Sequence, residues 1–252
     1  MKREAMHTYN LYAGDFNHAE IVFVTYYDTP LLQLFPRERK AFASNWTQGN
    51  FLLHTLLFLL CILVIVFLLY SGVLPNLQRY GFMSIWGAVL VLVCLSGFYI
   101  VRQMRGGMAA GNTMVRNSSS LITLFALASE LSEQEKEHVA FALIDEGTRS
   151  EYGLKMLDAY LNGKSIKRVY LDAIGNTGRL QCFSRDEISI SADMEWHEKR
   201  KAMDPYGDIL LTRGEFQNSA VILRDDKNDQ AIEHIMSTAD ALHELIRQCF
   251  DV

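Results

Sequence analysis

The sequence predicts an α/β protein, a mostly parallel sheet with helices on both faces, interrupted by a two-helix transmembrane hairpin, and three observations carry that prediction. Short β-branched runs alternate with stretches of helical period, the pattern of strands and crossover helices. Two long apolar runs, Phe51 to Leu74 and Gly81 to Val101, hold no charged residue. The polar chain before them, about 45 residues, is too short for an independent core, so the apolar pair is read as an insertion within one domain. Residues 1–48 and 105–252 then form the two parts of that α/β domain, and 49–104 form the hairpin.

Taken in order, Ile21 to Thr25 (IVFVT) reads as a buried strand. Each apolar run exceeds the roughly 20 residues that cross about 30 Å of hydrocarbon at 1.5 Å per residue. Pro75 to Tyr80 is expected to be the connecting turn. His54, in the first turn of the first span, reads as an interfacial side chain. Arg37, Arg39 and Lys40 precede the first span and Arg102 and Arg105 follow the second, with only Arg79 between, which predicts a cell-membrane protein with both termini and the α/β part cytoplasmic.

After the spans, Asn117 to Leu131 reads as a helix with Leu121, Leu124, Phe125, Ala128 and Leu131 on its buried face. Val139 to Ile144 (VAFALI) is a second buried strand, and Ser150 to Leu161 a helix ended by Asn162-Gly163. Lys167 to Leu171 is a third strand and Ser219 to Leu223 a fourth, while Gly175 to Arg200 shows no clear period. Asp229 to Phe250 is a long helix with Ile232, Ile235, Met236, Ala239, Leu242, Leu245 and Ile246 at core-facing spacing.

The four cysteines, Cys61, Cys94, Cys182 and Cys249, lack the close pairing of a zinc knuckle or redox motif and read as reduced thiols. A net charge of −5 without a basic block argues against a nucleic-acid partner.

Three strands end in an aspartate: Asp28, Asp145 and Asp172. Ligands bind at the carboxyl ends of strands in open α/β sheets, so these carboxylates can form a cation or amine site; they can equally cap helices and shape turns.

In the order of its blocks the chain resembles the di-zinc aminopeptidases, the exopeptidase family that includes glutaminyl-cyclase-like enzymes and the non-catalytic transferrin receptor and nicastrin. Asn10 to Gly14 followed by IVFVTYYDTP is similar to its opening strands and A-H-x-D-[ST] block, and Gly111 to Leu131 to its G-A-x-D-N-[AG]-S-G helix start. VAFALIDEGTRSEYGLKML is similar to the strand, Glu-Glu and Gly-Ser block, VYLDAIG to the N-x-D-x-x-G strand end, and QNSAVILRDDKND to the region before the last H-T-x-x-D-T block.

The resemblance implies a zinc-exopeptidase fold that has lost most of its ligands. The first ligand His falls on Tyr26 and the bridging Asp on Arg116. The Glu-Glu pair falls on Gly147 and Thr148, and the last His near Arg224. Only Asp172, a terminal ligand, and Asp28, which orients the site, survive. A two-residue slip would place Asp145 and Glu146 on the Glu-Glu positions, at the expense of the match at Gly153. A guanidinium between two would-be zinc sites repels the ions and cannot be deprotonated. Arg116 is expected either to pair with Asp172 or Asp28 in place of metal or to be solvated at its helix start.

The first expectation is therefore a membrane-anchored pseudopeptidase without cofactor, whose cleft takes a peptide terminus, a small amine or a protein partner. The alternative is a residual zinc hydrolase built on Asp172, Asp145, Glu146 and His197.

Overall fold

A computed structural model of the chain describes residues 8–28, 39–42, 48–104, 114–145, 152–189, 191–223 and 229–250. The chain folds as two compact units, one of residues 1–30, 37–45 and 111–252 and the other of residues 31–36 and 46–110.

In the first unit, strand β2 (Ile21–Tyr26) is buried along its whole length because both its faces are covered. It lies between two parallel neighbours, β4 (Val139–Ile144) and β5 (Lys167–Asp172), with Ile21 opposite both Val139 and Lys167. β4 also pairs antiparallel with the edge strand β1 (Leu11–Ala13). On the other side β5 runs parallel to β8 (Ile209–Gln217), β8 antiparallel to β6 (Arg179–Ser184), and β6 parallel to β7 (Met194–Glu198). Short strands β3 (Arg39–Lys40) and β9 (Ala220–Leu223) extend β8, completing nine strands. The sheet is therefore mixed, with its parallel core at the centre.

Side-chain alternation splits the core into two layers. Val22, Val24 and Tyr26 point to one face, where Leu154, Leu157 and Leu161 of helix α6 (Tyr152–Leu161) cover them. Ile21 and Phe23 point to the other, against Leu124 and Leu127 of helix α4 (Ser119–Glu130) and Leu242, Leu245 and Ile246 of helix α7 (Ala231–Phe250). The expectation of helices on both faces is met.

Several sequence expectations change. The buried stripe of α4 is Ser120, Thr123, Leu124 and Leu127; Phe125 is exposed, and with Leu121 and Ala128 it lines a shallow apolar groove against β1. Ile232 and Met236 of α7 are likewise exposed while the rest of the expected stripe is core. The strand expected at Ser219 to Leu223 exists as β9, but the parallel partner of β5 is β8, which hydropathy does not single out. The unassigned stretch Gly175 to Arg200 supplies β6 and β7.

In the second unit, α1 (Gln48–Leu68) continues through a wide π-helical turn at Leu69–Val73 into α2 (Leu74–Tyr80). Pro75 does not end the helix: it follows directly on the π-helical turn, in which the Leu74 N–H reaches back to the Leu69 carbonyl and the regular i→i−4 pattern is already interrupted. The reversal falls instead at Gly81 to Ser84, where Gly81 takes φ 79°. Helix α3 (Ile85–Met104) returns alongside, close enough that a Cβ on Gly97 would lie 3.4 Å from Ile65 Cδ1. Thr55–Tyr80, at 26 residues, is the one helix among the described residues long and apolar enough to cross a membrane; the apolar part of the return helix, Ile85–Val101, is shorter.

Candidate functional site

Because β4, β2 and β5 are parallel neighbours, Asp145, Asp28 and Asp172 all emerge at one edge of the sheet. Asp172 and Asp28 both bear on the Tyr26 phenol, while Asp145 is bonded to Tyr9 and Asn10. Asp172, the last residue of β5, is only 2% exposed. Its Oδ1 accepts a hydrogen bond from the Tyr26 hydroxyl at 2.6 Å and its Oδ2 accepts one from the Phe42 backbone N–H at 3.0 Å. Burial, and next the charge of Asp172, push the Tyr26 phenol well above its ordinary range, so it remains protonated and donates. Tyr170 beneath it is raised by the same two causes in the same order.

Phe42 is held in place by more than that bond. Its backbone is left-handed, φ 52°, and its ring packs against Tyr170, Phe183 and Tyr206 at centroid distances of 6.2, 6.0 and 5.9 Å. A non-glycine residue in this conformation persists only where its surroundings over-determine it, and here a buried carboxylate and three rings do so.

Arg116 sits in the π-helical turn Met114–Ser118 that opens α4, 5% exposed. The solvated alternative is therefore excluded. Its positive charge acts on the Tyr26 phenol in the direction opposite to Asp172. Beside it, Asn117 Nδ2 donates to the Asp28 carbonyl at 2.9 Å, fastening the start of α4 to the end of β2. The hydroxyls of Ser119 and Ser120 return to the Arg116 carbonyl at 2.7 and 3.3 Å.

Asp145 belongs to a separate latch. Its N–H donates to Asn10 Oδ1 at 3.1 Å and its Oδ2 accepts from the Tyr9 N–H at 3.4 Å. Asn10 Nδ2 in turn donates to the Gly153 carbonyl at 2.8 Å. Glu146, Gly147, Thr148 and Arg224 lie outside the described residues.

His197 lies on β7, separated from β5 by β8 and β6, and does not join Asp172. Its ring stacks on Phe216 at 4.0 Å, its Nε2 lies 2.6 Å from Gln181 Oε1, and burial lowers its pKa.

The donor set does not fit zinc. Both Asp172 oxygens already accept hydrogen bonds, Tyr26 is locked as a protonated phenol, and Arg116 adds a permanent cation to the same edge. No group of three or more His, Cys, Asp or Glu side chains among the described residues is placed to hold a metal ion.

A cavity of about 500 Å³ opens at the opposite edge of the sheet, lined in part by Glu20, Lys164, Lys167, Arg185 and Lys199. Its cations serve the fold: Lys199 bonds the Gly207 carbonyl at 2.7 Å and Asp204 at 3.0 Å, and Lys164 bonds the Phe16 carbonyl at 3.1 Å. We place the candidate site at the Asp172 edge. Sequence reasoning finds Tyr26, Asp172 and Arg116 there, and misses Phe42 and Asn117. Phe42 contributes a backbone N–H, which carries no sequence signal, whereas Asn117 stands at an expected helix start and is legible as a cap.

No family model, curated protein or solved structure matches the chain.

Proposed function

We propose that the chain is a membrane-anchored, non-catalytic relative of the zinc aminopeptidases, in which Tyr26, Asp172 and Arg116 occupy the positions of metal chemistry. Its α/β unit acts by binding or scaffolding. The observation that carries this reading is the closed Asp172 carboxylate, with the Tyr26 hydroxyl at 2.6 Å and the Phe42 N–H at 3.0 Å. A carboxylate engaged in this way is neutralised by donors in place of a metal, and a buried one needs such donors or an adjacent cation.

The bond to Phe42 also suggests what the edge now does. Phe42 stands six residues before the first residue of α1. Asp172 thus holds a residue that precedes the apolar helices in the chain.

Membrane anchoring rests on the helix through Tyr80. At 26 residues it spans about 39 Å at 1.5 Å per residue, and Leu59, Leu63, Phe67 and Tyr70 leave about half or more of their surface uncovered. Exposure of that kind in water has a large unfavourable hydration cost, which lipid removes. The shorter return helix crosses with it in this reading, placing both termini and the α/β unit in the cytoplasm, as the flanking Arg37, Arg39, Lys40, Arg102 and Arg105 favour.

Metal analysis tests the central point. Detergent-purified protein and its Asp172→Ala variant, loaded with zinc and desalted, are both expected to retain far less than one ion per chain. Retention of one ion by the parent and its loss in the variant would establish a metal site and reverse the proposal.

A further inference from the structure

We infer that the outer edge of β1 and the outer face of α4 form a self-pairing surface, through which two copies of the chain join their sheets about a two-fold axis. The inference goes beyond the proposed function: it concerns the α/β unit alone and depends neither on the Asp172 edge nor on membrane anchoring.

The main run of the sheet ends in β1 on one side and in β7 on the other, and the two strands are built differently. β7 (MEWHE) carries Glu195 and Glu198, and Arg179 of the neighbouring strand pairs with Glu195 at 2.7 Å. Charges on an edge strand guard it against pairing with another chain. β1 has no such guard. Thr8 to Gly14 (TYNLYAG) contains no charged residue and no proline, and all three β1 residues are exposed. Among the described residues no strand pairs with its outer side, so backbone N–H and C=O groups there are left for a further antiparallel strand.

The surface beside this edge is apolar as well as uncharged. Leu11 and Ala13 line a groove of about 130 Å³ with Phe125, Ala128 and Phe141, and Leu11, Ile122 and Phe125 leave 55, 40 and 60% of their surface uncovered. α4 has no charge before Glu130, and charge returns in the next helix, α5 (Glu133–His138), where Glu133, Lys136 and Glu137 are exposed. A surface that meets its own copy across a two-fold axis brings like charges together. In a chain of net charge −5, an uncharged strip is therefore where self-association meets least repulsion. The groove calls for an apolar strand edge that brings one ring or branched side chain, since a cavity of about 150 Å³ holds a benzene ring. A second copy supplies both. An axis normal to the sheet pairs β1 antiparallel with its counterpart and keeps both Leu11 side chains and both α4 helices on one face. The apolar area covered, on the order of 400–500 Å² per copy, falls below the ~800 Å² per partner of a standard interface and sets a dimer that dissociates on dilution.

The test uses the full-length chain, produced in cells with two different tags on separate copies, and reads crosslinking by a short, permeable bis-maleimide before lysis. Leu11→Cys places a thiol on the proposed interface, Glu198→Cys places one on the charged edge, and the parent with its four native cysteines sets the background. From position 11 a product of twice the 28.7 kDa chain, carrying both tags, is expected at least about tenfold above both controls, because facing residues of paired strands lie about 4.5–8 Å apart. Adding Phe125→Glu, at an exposed position, should lower that yield at least about fivefold by placing unpaired carboxylates in the contact. Equal yields from positions 11 and 198 overturn the assignment, and so does an absence of dimer, whether or not the new thiol reacts with a monofunctional maleimide. A product of any other mass places a different partner on the edge and overturns the second copy. A yield indifferent to Phe125→Glu overturns the part assigned to α4. Should Leu11→Cys fail to fold, light scattering of the unmodified chain in detergent replaces it. The mass should rise from one chain toward two between roughly 1 and 100 μM, the range in which an interface of this size dissociates, and a constant single-chain mass overturns the proposal.

Discussion

Asp172 is the residue on which most of the site depends, and the two bonds it accepts can be separated by mutation. Tyr26→Phe removes the hydroxyl at 2.6 Å and leaves a buried carboxylate short of a donor, a loss expected to lower stability by about 1.5–3 kcal/mol. Asp172→Asn is expected to be milder than Tyr26→Phe, because its amide oxygen can still accept from the Phe42 N–H while its NH2 donates to the Tyr26 hydroxyl, which accepts as well as donates. Thermal melts of detergent-purified protein decide the point, and stability equal to wild type in both variants would show that the clasp carries no load. Glu135 offers a second, pH-readable test. Ser132 caps the helix with it, His243 Nε2 lies 2.9 Å away, and the hydrogen bond to Ser132 is the largest cause holding its carboxyl down at about 2, against an ordinary 4.5. A carboxyl with a depressed folded-state pKa contributes stability that is fully present above about 4.5 and is lost as pH falls toward 2. Glu135→Gln preserves the capping box but not the charge, so it should cost roughly 1–2 kcal/mol at neutral pH, discounted for nearby solvent, with the difference closing below pH about 4.5. Legibility at this scale follows the type of group used. Side-chain acceptors at strand ends, Asp172 above all, stand out in the sequence, whereas the backbone N–H of Phe42 and the Asn10 latch on Asp145 have no pattern to announce them.

Among elements, the strands readable in the sequence are those buried by apolar contact alone. β2, β4 and most of β5 are parallel strands covered on both faces, so IVFVT and VAFALI appear as unbroken apolar runs. β8 and β6 are equally buried but carry Thr212, Arg213, Gln181 and Ser184 in their interiors. Most of those polar groups are matched in place: the Arg213 guanidinium donates to Ser237 Oγ at 2.8 Å and to the Gly178 carbonyl at 3.3 Å, and Gln181 Nε2 to Glu195 at 3.1 Å, while Thr212 Oγ1 has no hydrogen-bond partner among the described residues. Burial of a satisfied polar group leaves no hydropathy signal, which is why the sequence points to the β9 segment in place of β8. The α4 face departs from its apolar spacing for a related reason, since Ser120 and Thr123 turn inward while Phe125 faces the groove beside β1. The packing of α6 on β4 is tightest at Gly153, where an added Cβ would stand 2.1 Å from the Asp145 carbonyl oxygen and 3.2 Å from Asn10 Oδ1. That oxygen belongs to the backbone and has nowhere to turn. Gly153→Ala should therefore push the helix off the strand and destabilise by about 1–3 kcal/mol, checked by denaturant unfolding; an unchanged midpoint would mean that α6 yields at no cost.

For the whole molecule, the arrangement of two units in one chain has a consequence that excision can test. Among the described residues the α/β unit closes its core without a side chain from the apolar helices: the two buried clusters draw on β2, β4, β5, β6, β8, β9, α4, α6 and α7, with Ala41 and Phe42 as the last contributors before α1. Near two of the points at which the chain passes between the units it is fastened, Phe42 to Asp172 at 3.0 Å and Asn117 to the Asp28 carbonyl at 2.9 Å. An apolar helix of which almost no residue is buried adds nothing to such a core and is a liability in water. Replacing residues 43–113 by a flexible Gly/Ser linker of roughly ten residues, whose mean span is about 16–19 Å, should then give a soluble protein. Its far-ultraviolet spectrum should be that of an α/β domain, and its thermal melt should be a single cooperative transition. Tyr26→Phe should lower that transition by the same free energy as in the intact chain, since Asp172, Tyr26 and Phe42 all remain. If the excised protein aggregates while the intact chain is well behaved in detergent, the helices are part of the folding unit, and Asp172 clasps a segment that the domain cannot do without.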